Sequence, residues 1–215
     1  MTVVVDDVRH TLEGAVIDVR HGDEAGTIRL EALGDAVVDA ALTTLESALA
    51  AGGAWADALA AAARTAEIPG RCRRIPLGNG ALLLDDTAAR TRHEVGRSLK
   101  VLADAARGRT RSLAVLGELD SEPAEWFDDH DGLGRLVVRL DVSQLIVVGH
   151  GARHTATAAG LEGSWDGESV LVADLDEAYA VLRSHLRPGD ALLISAAART
   201  PLADLVDRLT QEASW

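Results

Sequence analysis

The sequence predicts an α/β fold: a Rossmann-like, mostly parallel sheet with helices on both faces, preceded by a small α+β segment. Three features point there. After residue 80, apolar runs of strand length alternate with amphipathic helical stretches, the pattern of parallel strands joined by helical crossovers. Before it, short strands are followed by two alanine-rich helices. Between the two, "IPGRCRRIPLGNGA" carries two prolines and three glycines, which places a junction there and divides the chain into segments 1–76 and 77–215.

In chain order, "VVVDDVRH", "GAVIDVRHG" and "GTIRLEALG" read as strands, with residues 22–26 as a hairpin-type turn. "DAVVDAALTTLESALAAGG" and "AWADALAAAARTAE" read as helices, stopped and restarted at Gly52-Gly53. The later strands are "ALLLDD", "RSLAVLGEL", "SQLIVVG", "SVLVAD" and "DALLIS". Helices are expected between and after them near 88–106, 123–139, 152–162, 176–185 and 201–213. No internal repeat interrupts this alternation.

Composition narrows the function. With 47% hydrophobic and 26% charged residues the chain is globular. Only 3% of it is aromatic, so Ala, Val and Leu must build the core. A net charge of −13 argues against nucleic acid and anionic membranes, because phosphate binding needs concentrated positive charge. The run Arg71-Cys72-Arg73-Arg74 is too short to reverse that. One cysteine, Cys72, excludes an internal disulfide and suits a reducing cytoplasm. No apolar run reaches membrane-spanning length and no secretory signal is visible, so the expected location is cytoplasmic. Lys100 is the only lysine, so every role that requires lysine has one candidate, and its helical context makes it a surface residue.

On parallel sheets, ligands collect at the carboxyl ends of strands. Asp85-Asp86, Gly117-Glu118, Gly149-His150-Gly151, Asp174 and Ser195 stand there, with His130 following the strand near 116, and Gly149, Gly151, His130 and Ser195 are possible ligand-binding groups. "VVGHGARH" has the strand–turn–helix context of a phosphate cradle but lacks the third glycine of the dinucleotide fingerprint, and a tight strand-to-helix turn is the better account. His150 and His154 could share a helix face, but spacing supplies no third ligand and no metal is expected. "WFDDHDGLG" lacks the ligand alternation and closing Glu of a calcium loop; acids at a helix start explain it. No nucleophile elbow and no Gly-x-x-x-x-Gly-Lys-Ser/Thr loop occurs in this sequence, so no residue is assigned a catalytic role.

The order of elements resembles the Mur ligase family, most closely its members that add D-alanyl-D-alanine to UDP-muramoyl-tripeptide. Residues 27–74 are similar to the tail of the family's central ATPase domain. There "LEALGDAVVDAALTTLESALA" parallels a Leu-x-Gly-x-His-Asn segment and its following helix, and "IPGRCRRI" parallels the Gly-Arg that ends the domain. Residues 80–215 resemble the Rossmann-like C-terminal ligase domain. "LLLDDTAARTRHEVGRSLKVLA" falls on Asp-x-Tyr-Asn-Ala-Asn-Pro-x-Ser, "LAVLGELDSEPAEWFDDHDGLGRL" on the Leu-Gly-x-Met segment with a later His and Gly, and "LRPGDALLISAAARTPLADLV" on Gly-Asp-x-x-Leu-x-Lys-Gly-Ser-Arg.

The resemblance implies that Arg71 and Asp85 are relics of a nucleotide site, Asp85 at the position that holds the ATP ribose. The departures are polar groups lost. Thr87, Ala88, Arg90 and Thr91 stand where the family has Tyr, two Asn and Pro, Ala36 and Val37 where it has His and Asn, and Ser195 to Ala198 where it has Lys-Gly-Ser-Arg. Alanine can neither donate nor accept a side-chain hydrogen bond. The sequence also lacks the P-loop half of the central domain and the UDP-sugar domain. The expectation is a truncated, degenerate member without ligase activity alone and without a cofactor. It would act as a binding or assembly partner of a Mur ligase, or with a second copy of itself. The alternative is one subunit of a split ATP- and Mg-dependent acid–amino acid ligase whose P-loop comes from another chain.

Overall fold

The computed structural model describes residues 2–162, 165 and 167–211. It consists of two lobes, each with its own sheet. The first sheet is the antiparallel meander β1 (Val4–Thr11), β2 (Gly14–His21) and β3 (Glu24–Leu30). Period-two alternation aims Ala15, Ile17, Val19, Ile28 and Leu30 at one face. Onto that face pack α1 (Asp35–Ala50), through Val37, Val38, Ala41 and Leu45, and α2 (Trp55–Ala62), through Ala58 and Ala62. The hairpin turn is shorter than the sequence suggests: His21 pairs with Glu24, so only Gly22 and Asp23 lie outside the ladder. Two-residue loops match the twist of paired strands best, and β3 therefore starts before Thr27. On the opposite face Arg9 pairs with Asp18 and Arg20 with Asp6, and that side is solvated.

The second sheet has six strands in the order β4-β5-β9-β6-β7-β8. These are β4 (Arg73–Pro76), β5 (Leu82–Asp86), β6 (Ser112–Leu116), β7 (Gln144–Val148), β8 (Glu168–Val172) and β9 (Ala191–Ser195). All neighbours run parallel except β4, which is antiparallel to β5. The expected Rossmann-like sheet is therefore present, and both its faces are covered. On one side α3 (Arg92–Ala106), α4 (Trp126–Arg139) and α5 (Arg153–Gly160) bury Leu84, Ala114, Leu116, Leu145, Val147 and Leu193. On the other, α6 (Leu175–His185) and α7 (Leu202–Gln211) bury Leu83, Leu113, Val115, Ile146, Leu192 and Ile194. Burial on both faces explains why these strands read as unbroken apolar runs.

The boundaries of β4, α3 and α2 also differ from the sequence expectation. β4 falls within the stretch read as a junction and belongs to the second sheet; four residues with two arginines and a proline carry no strand pattern, yet suit an edge. Helix α3 begins at Arg92, not near 88, because Thr91 and Glu94 form a reciprocal capping box. Helix α2 stops at Ala62, before "RTAE". The final helix was expected near 201–213; residues 212 and 213 lie outside the described residues. Among the described residues, no helix is long and apolar enough to cross a membrane.

Candidate functional site

The lobes meet where the carboxyl ends of β5 and β9 face the connector and the start of α1. The cleft there has a volume of about 390 Å3, and its lining includes Gly34, Asp35, Arg71, Asp86, Glu94 and Arg97. Successive strand residues point to opposite faces, so only one of the two carboxylates of the Asp85-Asp86 doublet can enter it. It is Asp86. Its Oδ1 accepts the Cys72 N–H at 3.2 Å and its Oδ2 accepts the Ser195 hydroxyl at 2.6 Å. Burial raises its pKa from 3.8 to about 6, against the lowering pull of Ser195, Ser98, the Cys72 amide and Arg71. Asp85 turns the other way. It accepts both the N–H and the hydroxyl of Thr87, at 3.2 and 2.7 Å, and pairs with Arg73 at 3.2 Å.

Each cation at this junction already has an anion. Arg71 donates to Glu94 at 2.8 Å. Burial works against the Glu94 charge, but hydrogen bonds from the Arg90 amide, Arg71 and the Thr91 amide outweigh it and bring its pKa down to about 2. Arg97 donates through Nε to Asp35 and through Nη2 to Asp39 at 3.3 Å. Cys72, held at a φ of 52°, is buried. Burial, followed by the nearby Asp86 charge, pushes its thiol far above the ordinary range, so it offers no thiolate.

The other strand-end residues lie elsewhere. Ser195 is fully buried and reaches the cleft only through Asp86. His130 is also fully buried. It accepts the Leu119 N–H on Nε2 at 3.2 Å, which leaves Nδ1–H to donate to the Trp126 carbonyl at 2.7 Å. With both nitrogens engaged, it holds the β6–α4 loop and presents nothing to a ligand. Gly149 donates its N–H to the Val172 carbonyl at 2.9 Å. At Gly151 an added Cβ would lie 2.0 Å from Oε2 of Glu118, whose carboxylate fills the space over the turn and pairs with Arg199 at 3.5 Å. A phosphate on this Gly-x-Gly turn would meet that negative charge. His154 packs edge-on against Trp126 and Phe127. Among the described residues, no group of His, Cys, Asp or Glu is placed to hold a metal ion.

Thus the structure brings Arg71 and Ser195 to one cleft, through Asp86, and leaves Asp85, His130, Gly149 and Gly151 away from it. Glu94, Arg97 and Ser98 were not anticipated there. The Thr91-x-x-Glu94 capping signature locates Glu94 on the first turn of α3, and Arg97 follows one turn later. Their partners across the cleft depend on tertiary packing.

Residues 70–198, well over half the chain, match the family model for the Mur ligase, glutamate ligase domain. The chain belongs to the Mur ligase family. Its relatives include the UDP-N-acetylmuramoyl-tripeptide--D-alanyl-D-alanine ligase of Mycobacterium leprae, 36% identical over 199 residues, covering 86% of this chain and 38% of the relative. The ligase of the same name from Mycobacterium tuberculosis is 36% identical over 209 residues, covering 88% and 41%. This Mur ligase family member therefore spans about two fifths of the length of the curated relatives it matches. Solved structures agree on the fold. MurF from Acinetobacter baumannii superposes with a TM-score of 0.77 at 19% identity, covering 98% of this chain and 45% of that one. MurF ligase from Thermotoga maritima in complex with ADP gives 0.77 at 16%, covering 98% and 46%.

The Asp86 environment makes a testable statement about this family member. A buried carboxyl whose folded pKa exceeds its unfolded value stabilises the fold fully below pH 3.8, and that contribution is lost as pH rises through 6. The loss amounts to about 3 kcal/mol at 1.36 kcal/mol per pKa unit. Urea unfolding of Asp86→Asn and of the unaltered protein from pH 4 to 7 should show the unaltered protein losing ground relative to the variant as pH rises. A constant gap would exclude a buried, titrating Asp86.

Proposed function

We propose that this chain, related to the peptidoglycan-precursor amide ligases, is a cytoplasmic binding or assembly unit that does not ligate by itself. The observation that carries this reading is the internal neutralisation of the cleft: Arg71 is matched by Glu94, and Arg97 by Asp35 and Asp39. Phosphoryl chemistry requires cations directed at the developing charge. Cations already paired within the fold would have to abandon their carboxylates to hold a triphosphate. Ala36, Ala196, Ala197 and Ala198 add no polar side chain that could compensate. The residues present therefore do not fit ATP and magnesium unaided. The partner in this reading is a Mur ligase chain or a second copy of this one.

Incubation with ATP, UDP-muramoyl-tripeptide and D-alanyl-D-alanine should release phosphate no faster than a protein-free blank. Release above the blank that disappears in Arg71→Ala would overturn the reading.

A second reading, a subunit of a split ATP-dependent acid–amino acid ligase, is favoured by the persistence of Arg71 and a carboxylate, Asp86, at one cleft. It requires a co-purifying chain bearing Gly-x-x-x-x-Gly-Lys-Thr, with ATP turnover by the pair alone.

A further inference from the structure

A second seam joins the lobes. Where β1, α1 and α3 meet, a cavity of about 360 Å3 is lined by His10, Asp35, Asp39, Arg97, Lys100 and Asp104, among others. His10 is 8% exposed, and its Nε2 is sealed from solvent without a hydrogen-bond partner. Facing it, α1 presents Asp35 and Asp39, and α3 presents Arg97, Lys100 and Asp104. Strand β2 contributes only Ala15 opposite His10. The two lobes are tied across this seam by Arg97, which holds both carboxylates at the start of α1.

An orphaned neutral nitrogen is tolerable at a cost of about 1–3 kcal/mol. An orphaned imidazolium is not, because a buried charge needs a partner. A proton on His10 therefore demands a carboxylate, and Asp35 and Asp104 are the two whose fields favour it. Asp35 is the carboxylate that Arg97 holds through Nε.

We propose that this seam is an acid-operated latch, in which protonated His10 takes the Asp35 carboxylate from Arg97 and α3 is released from the first turn of α1. Burial, opposed by the Asp35 and Asp104 charges, keeps the His10 pKa below 6.5, so the latch is closed at neutral pH. Arg97 lines both the junction cleft and a larger cavity of about 780 Å3 between α3 and the β6–α4 loop, so opening the latch alters the walls of both.

The test is a nitrogen-15 NMR titration of the full chain from pH 8 to 5, following the His10 ring nitrogens and the Arg97 Nε–H. The Arg97 Nε–H resonance should leave its Asp35-bound chemical shift with the same midpoint as the His10 titration, below 6.5. In His10→Gln it should keep that shift down to pH 5. An Arg97 shift that does not follow the His10 titration, or one that moves equally in His10→Gln, overturns the latch. Should His10→Gln fail to fold, the unaltered protein still decides: Arg97 and His10 midpoints differing by more than about half a pH unit overturn it.

Discussion

Replacing Gly134 with alanine should destabilise the fold by about 3 kcal/mol and lower its melting temperature by roughly 6–12 °C, at 2–4 °C per kcal/mol for a chain of this size. Gly134 lies in α4 where α5 crosses it. An added Cβ would stand 2.3 Å from the Thr155 carbonyl oxygen, 2.9 Å from the Ala158 Cβ and 3.1 Å from the Ala159 amide nitrogen. Two of those three atoms are backbone and the third is a Cβ, so no rotamer change relieves the contact and the helices must separate. In an exposed helix the same substitution would gain about 1 kcal/mol of helix propensity, and the sign therefore reports the closeness of the crossing. Thermal unfolding of Gly134→Ala decides it: unchanged or improved stability would mean that α4 and α5 are further apart than described.

His130→Ala should cost a comparable amount, about 3–4 kcal/mol. Two losses combine. The ring leaves a cavity in a fully buried position, and the Leu119 N–H and the Trp126 carbonyl lose the partner that joins them. The histidine also has a pH signature. Burial holds its folded pKa below the ordinary 6.5, against the raising effects of the Trp126 carbonyl, Glu118 and Asp129. The unfolded chain therefore binds the proton more readily, and stability, complete above pH 6.5, falls as pH drops through 6.5 toward the folded value. His10 has the same sign, and Asp86 has the opposite one between 3.8 and 6. Denaturant unfolding from pH 8 to 5 should show a smaller acid-side loss in His130→Ala than in the unaltered protein. Equal slopes would mean that the imidazole is not sealed.

Much of the second lobe was legible in the sequence, for a physical reason. Strands such as "SQLIVVG" and "DALLIS" are buried on both faces, so their central positions, Leu145 to Val148 and Ala191 to Ile194, are all apolar and the run stands out. Strand β4 sits at an edge, where Arg73 and Arg74 keep polar ends, and no pattern marks it. Helix α3 starts later than the sequence places it, because the capping box at Thr91 and Glu94 determines where the helix begins.

The site was half legible. The acid doublet at the end of β5 is visible in the sequence, but which carboxylate enters the cleft depends on the phase of the pleat, and that phase is set by pairing with β9. Arg71 was identified through family resemblance. That its charge is consumed by Glu94, and that of Arg97 by Asp35 and Asp39, follows from how two lobes far apart in sequence are brought together. The Gly-x-Gly turn shows the same limit: nothing near Gly151 in sequence announces that Glu118 lies over it.

The short connector strand β4 has an effect on how molecules of this protein meet. As one of the two outermost strands it carries Arg73, Arg74 and Pro76, two charges and a missing amide that discourage another chain from pairing there. The other outermost strand is β8, where Leu171 stands 47% exposed between Val170 and Val172. Adhesion between molecules through their larger sheets is thereby favoured at β8, and a charged residue at position 171 is the economical way to suppress it.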